Sequence, residues 1–343
     1  MSLPVRDGGL GMKINNQRAD ISYQASSKIT KPLTDKIVQQ SNILPDPTTE
    51  KQVKAKIVKE FKTWESAANE EIKSKQSPEL QRTLQQHSEP GASSWLGALP
   101  ISAQGFNLNK GEFQDSMCLR YNKDLKNLPS KCACGHSYTV THALDCKLGG
   151  FVSARHDNIR DVECCLLKSV VHDVESEPNL QPVVNKQGYC KTAKTADDAR
   201  LDIRARGFWR HGQNAFFDVR VTNADCDSQQ DKSLKQVLGN HEAEKKRHYN
   251  RRVMEVEHGS FTPLVFTTSG VMAHECTVYH RSLAEKISLK RNERYEDVMR
   301  YLRVKFSFLA LKATLLCVRG SRTVKKVDET TQDFGLALQE LGL

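Results

Sequence analysis

The chain of 343 residues is long enough for two domains, and 51 Lys and Arg against 41 Asp and Glu leave a net charge of +10, an excess suited to a polyanionic partner. With 27% charged and 38% hydrophobic residues and a mean hydropathy of −0.58, the composition is globular with room for unstructured stretches. No apolar run approaches the ~18 residues that cross a bilayer, and MSLPVRDGGLGMKINNQ at the start lacks a signal-peptide core, so an intracellular protein without membrane association is expected. In that compartment ten cysteines point to metal binding and free thiols rather than a disulfide framework.

Residues 1–94 read as a flexible lead with one amphipathic helix. The first fifty are rich in Gln, Ser, Asn, Lys and Thr and show no period. Between Thr49 and Lys75, Val53, Ile57, Val58, Phe61, Trp64, Ala68 and Ile72 recur at spacings of three and four, which is the helical period. SEPGASS at 88–94 is a turn-forming boundary, and residues 95–150 form a linker region that ends in a cysteine-rich knuckle. A helix with the stripe Ile159, Val162, Leu166, Leu167, Val170 and Val171 follows. Strands are expected at 174–184, 200–206 and 214–222, a basic helix from Ser233 to Arg252, and a buried strand, FTPLVFTT, at 261–268. The order α-β-β-β-α-β predicts an α/β core over 151–270, a mixed sheet with helices on its faces. Residues 271–343 read as a basic helical extension, helical from Arg281 to Arg322, with seven Lys or Arg against three acids between Lys286 and Lys305.

Two groups of residues carry chemistry. Cys132, Cys134, His142 and Cys146 give C-x-C-x₇-H-x₃-C, three thiolates and an imidazole suited to tetrahedral Zn²⁺, with Gly135 allowing the tight turn between the early ligands. His136 is a rival fourth ligand, but it sits too near Cys134 in the chain to close the site well. A closed site of this kind folds and positions rather than catalyses. Asp202 and Asp218, sixteen apart and each flanked by apolar residues, fit a hairpin that aims two carboxylates at one sheet edge, where they can hold Mg²⁺. The plain alternative is two solvent-facing acids on alternating strands. After the glycines at 149–150, Arg155 can fork onto a phosphate oxygen and His156 can position phosphate or act as an acid. Lys245 and Tyr249 share a helix face, the lysine to offset charge developing at a phosphate and the tyrosine to hydrogen-bond it; Lys246, Arg247 and their neighbours would attract the DNA backbone.

These residues carry a resemblance. GGFVSARHDNIRD, VESEPNLQP, ARLDI, FFDVRVTN, EKKRHY and LLCVRGSR, in this order behind the knuckle, resemble the C-terminal region of site-specific non-LTR retrotransposon proteins over roughly 95–322. That region is a zinc knuckle followed by a restriction-enzyme-like endonuclease of the P-D-(D/E)-x-K superfamily, related in fold to archaeal Holliday-junction resolvases. The resemblance implies Mg²⁺-dependent nicking of target DNA in the nucleus, with retrotransposon RNA as a second partner. By position it places the knuckle on Cys132, Cys134, His142 and Cys146, the Arg-His motif on Arg155 and His156, the metal-binding acids on Asp202 and Asp218, and the lysine and tyrosine on Lys245 and Tyr249. Leu201 stands where the pattern has proline, and Arg220, a further DNA contact, stands where it has lysine. An arginine stays protonated, so any proton-accepting duty passes to Lys245. No Y-x-D-D occurs, so reverse transcription is not expected of these residues. A silent DNA-binding module, a junction resolvase and a zinc-stabilised interaction domain are the alternatives.

Overall fold

The computed structural model describes residues 2–12, 15–42, 46–184 and 188–320. The chain divides between Ser88 and Glu89 into two compact units. In the first, helices α1 (Asn15–Val38), α2 (Pro47–Ser74) and α3 (Pro78–Ser88) follow a short 3-10 turn. The period over 49–75 is α2, with Ile57 buried on its stripe. Residues 15–38 are a helix too, where no period was legible. Helix α1 fully buries no described side chain; Ile21, Ala25 and Ile29 are half-buried along one face, and Arg18 pairs with Glu65 at 2.9 Å and Lys28 with Glu60 at 3.8 Å across to α2.

The second unit is built on a four-stranded sheet in the order β1 (Val174–Ser176), β2 (Ile203–Arg206), β3 (Asn214–Thr222), β4 (Ser260–Thr267). The first three pair antiparallel and β4 runs parallel to β3, with Asp218 opposite Pro263. Proline is tolerated there because β4 is a terminal strand. The expected strand at 174–184 ends at Ser176, since Glu177 takes a positive φ of 53° and Pro178 has no N–H to continue the ladder; only a bridge between Asn179 and Arg200 remains.

Period-two alternation sorts β3 between two helical layers. Phe217 and Val219 join the main core with Ile159, Val162 and Leu167 of α6 (Phe151–Lys168) and with two later helices, α8 (His274–Arg291) and α9 (Tyr295–Arg319). Phe216 packs on the opposite face with Val253 of α7 (Leu234–Glu255), in a cluster holding Leu180, Leu201 and Phe261. Asp218 and Arg220 share the parity of Phe216 and so belong to the α7 side. The unit is an α/β fold with a mixed sheet between helices.

Residues 271–320 are not an extension. Tyr279, Leu283 and Ile287 of α8 and Leu302 and Phe306 of α9 are core residues, and the helix expected from Arg281 is broken at Asn292, whose φ of 54° caps α8. Residues 321–322 of that expected helix lie outside the described residues. Helix α9 spans the unit: Phe306 stacks on Phe266, Ser307 Oγ bonds the backbone of Trp95 and Ala92, and Arg319 forks onto Asp115 at 2.6 and 2.7 Å. Trp95 and Phe106 pack on Phe308, so 95–150 belongs to this unit as well. No described helix is long and apolar enough to cross a membrane.

Candidate metal centres and their setting

The knuckle follows α4 (Lys110–Arg120) and ends in α5 (Val140–Asp145). Gly135, at φ 92°, turns the chain so that its N–H reaches Cys132 O, while the Cys132 N–H donates to His136 O. Thr139 caps α5 through its hydroxyl, bonded by the His142 N–H at 3.0 Å, and Cys146 closes the helix. The four ligand atoms of Cys132, Cys134, His142 and Cys146 lie within 4.8 Å of one another. Cys132 and Cys146 Sγ are 3.8 Å apart and Cys134 Sγ is 3.3 Å from His142 Nε2. Two thiolates on one tetrahedral zinc with bonds of about 2.3 Å stand about 3.8 Å apart, so the donors fit that ion. His136 lies outside the four; its ring stacks on His142 and its Nδ1 is 3.4 Å from Cys134 Sγ. Burial opposes ionisation of the Cys132 thiol, but the Cys134 N–H and the neighbouring His142, Cys134 and Cys146 bring it down to about 6, which readies a thiolate for metal.

The second centre lies where β2, β3, α6 and α7 meet. Asp202 stands one residue before β2, and its Oδ2 accepts the Val219 N–H at 2.6 Å, which seats its carboxylate on the peptide that follows Asp218. His156, on α6, places Nε2 3.2 Å from both Asp202 Oδ2 and Val219 O. Asp218 is 5% exposed and forms an ion pair with Lys245, whose ammonium also lies 5.9 Å from the Tyr249 ring. The structure thus brings Asp202, Asp218, His156, Lys245 and Tyr249 together, from sequence positions almost a hundred residues apart.

Burial pushes the Asp218 carboxyl up to about 6 in spite of Lys245, with the charge of Asp202 adding to the rise. At His156 burial opposes the charge, yet hydrogen bonds and charges from Asp202 and then Asp157 lift the imidazolium to about 9. The Tyr249 hydroxyl goes up to about 12, through burial and then the two acids, so it remains a donor at neutral pH.

Three expected phosphate contacts have other surroundings. Arg155 is 2% exposed and its Nη1 donates to Leu144 O at 3.1 Å, beside Cys317, so it cannot reach DNA. The stripe of α6 extends one turn back from Ile159, which puts Arg155 on the buried face with Phe151. Arg155→Met should therefore lower the melting temperature by a few degrees, the loss of a buried hydrogen bond being worth ~1–3 kcal/mol, and leave DNA affinity unchanged. An unchanged melt would show that the buried bond to Leu144 O contributes nothing to the fold. Lys246 is paired with Glu275 at 2.6 Å, and Arg220, half-buried, holds down the carboxyl of Glu244. Arg247 is exposed on α7.

Sequence reading did not find Asp157 and Arg160. Arg160 Nη1 binds Asp157 Oδ1 at 3.1 Å and Glu177 Oε1 at 2.7 Å, and Asp157 Oδ1 is 3.3 Å from His156 Nδ1. Their i,i+3 spacing in RHDNIR was the available signal. Buried Arg252, which donates to Lys194 O, Ala196 O and Gln181 O, was hidden in the basic run of α7 and anchors the loop before Asp202. Compared with known proteins, the chain matches no family model, and no curated protein matches it significantly.

Proposed function

We propose that the second unit is a metal-dependent DNA endonuclease with a restriction-endonuclease-like core, of the kind that nicks target DNA in the nucleus for site-specific non-LTR retrotransposons, with the element's RNA as a second partner. The observation that carries this reading is the seating of the Asp202 carboxylate on the Asp218–Val219 peptide, with Lys245 against the second acid. Asp202 and Asp218 would hold Mg²⁺, which when bound supplies Lewis acidity and a more acidic water.

The remaining residues act on charge and position. Lys245 sets a cation where phosphate charge grows. Tyr249 keeps its proton and can donate to a phosphate oxygen. Arg247 adds backbone attraction from the exposed side of α7, and Arg220, always protonated, can neutralise but not accept a proton. Nicking of supercoiled plasmid by the full, zinc-loaded chain tests the reading, with relaxation expected in Mg²⁺ and none when Mg²⁺ is left out. Binding without cutting would leave a silent DNA-binding module, and cutting confined to four-way junctions would leave a resolvase.

DNA binding itself should weaken steeply with salt, log K falling linearly with log salt, because the contacts are electrostatic. A flat titration between low and physiological salt would remove the nucleic-acid reading.

A further inference from the structure

We propose that Thr222 and His241 are positioning residues for Lys245, a strut between β3 and α7 that keeps the lysine at the site when its ammonium leaves Asp218 for a phosphate. This rests on the nuclease reading and goes beyond it in naming what holds the helix that carries Lys245.

The strut is short and buried. Thr222 Oγ1 stands 2.9 Å from His241 Nε2, and the two residues are 7% and 9% exposed. On the other side of the ring, His241 Nδ1 faces Glu244 Oε2 at 3.4 Å. Burial and then the charge of Arg220 push the His241 imidazolium below its ordinary pKa, so the ring is neutral at neutral pH. Burial opposes ionisation of Glu244, but Arg220 and then His241 keep it a carboxylate. A carboxylate at Nδ1 holds the ring's one proton there and leaves Nε2 to accept from the Thr222 hydroxyl. Hydroxyl, imidazole and carboxylate in series are also the parts of a hydrolase, but Thr222 shares the parity of Asp218 and lies beneath α7, too buried for its hydroxyl to meet a substrate.

The placement of the strut gives it its work. Thr222 is four residues from Asp218 on one face of β3, and His241 is four residues from Lys245, one turn away on α7. Strand and helix are therefore joined at two places, Thr222 to His241 and Asp218 to Lys245, and among the described residues these are the hydrogen-bonded or ion-paired side-chain links between them. Leu234, Val237 and Val253 hold α7 against the sheet as well, but apolar contact is non-directional and sets height and rotation loosely. A lysine that turns to a phosphate gives up its carboxylate, and the bond from Thr222 to His241 is then the directional link that remains beside the site. Misplacing a reacting group by about 1 Å can cost ~100-fold in rate, so this register matters to the chemistry as well as to the fold.

The test is the rate of plasmid nicking by the full, zinc-loaded chain in Mg²⁺, measured as a double-mutant cycle. Thr222→Val keeps the shape and removes the hydroxyl, so kcat should fall about tenfold or more while KM for DNA stays unchanged. Thr222→Ser, which keeps the hydroxyl, should restore kcat. In a Lys245→Ala background, Thr222→Val should slow cutting no further, because the strut acts through the lysine. If Thr222→Val does not fold, His241→Leu takes its place in the same cycle with the same expectation. Wild-type kcat in the folded variant would overturn the proposal, and so would a strut that slows both backgrounds equally, since that is what a purely structural bond does. Either result leaves the nuclease reading standing, whereas a wild-type chain that does not nick removes that reading and the strut's role with it.

Discussion

Asp218→Asn should cut plasmid at least ~100-fold more slowly than wild type, the scale lost with one well-placed electrostatic stabiliser, and should melt a few degrees higher without added Mg²⁺. The two effects come from one cause. Asp218 is buried and its carboxyl is pushed up to about 6, so desolvation outweighs the attraction of Lys245. A group whose folded pKa lies above its unfolded value contributes stability that is complete below the unfolded value, near 4, and is lost as pH rises through about 6. At neutral pH the metal-free fold therefore holds a carboxylate it would be more stable without. Asparagine keeps the shape and removes the charge. The gain should vanish at pH 4, where wild type is protonated as well. DNA binding in metal-free buffer should match wild type, because the change also removes repulsion from phosphate. A variant that melts lower than wild type at pH 7 without added Mg²⁺ would show that the Lys245 pair is worth more than burial costs, and cutting at the wild-type rate would remove Asp218 from the reaction.

Cys134→Ser should lose the knuckle's metal, unfold residues 131–150 and lower nicking, although no atom of the knuckle joins the reaction. Zinc in small closed sites supplies ~10 kcal/mol or more of folding free energy, which adds to the packing of Ala143 and Leu144 against Phe151 and Val318. The effect reaches the second centre by two routes. Arg155, next to His156, is bonded to Leu144 O in α5, and Asn223, one residue past β3, donates to Asp145 Oδ2 at 3.0 Å. Both Leu144 and Asp145 lie within two residues of the ligand Cys146. Elemental analysis and amide hydrogen exchange check this, with lost protection expected at 131–150 and spreading to the first turns of α6. A full zinc complement in the variant would contradict the ligand assignment, and exchange confined to the knuckle would sever it from the second centre.

The elements that were legible in the sequence are those whose period was set by burial. β3 and α7 follow the residues expected for them because Phe217 and Val219 alternate against a core and Val237 and Val253 face the sheet. The knuckle was legible because four ligands to one small ion must lie close in sequence when the loop is short. What escaped was held by charge or by distant partners. Helix α1 has only a thin stripe, Ile21, Ala25 and Ile29, half-buried and set among polar residues. Arg155 was read as a phosphate contact because a basic residue after two glycines looks like an anion site, whereas its spacing of four from Ile159 already put it on the buried face. At the second centre the side chains were legible, but Val219 O is a backbone atom and carries no signal in residue type. The tail from 271 read as an extension because its basic exposed face masked the core residues Tyr279, Leu283 and Phe306.

The way α9 fastens the second unit has a consequence for how the chain folds as it is made. Its Ser307 meets Ala92 and Trp95, its Thr314 donates to Thr268 O at 2.8 Å, and Tyr138 donates to Val318 O. These partners are separated from it by up to 215 residues. When a nascent chain has emerged through β4, every described strand is in hand, yet the apolar face that α8 and α9 cover is still open to solvent. Such long closures make for slow folding and for a sticky interval beforehand. Chains stopped before about residue 319 should therefore accumulate on chaperones or in aggregates however well their described strands are formed, because α9 is the helix that ends the exposure.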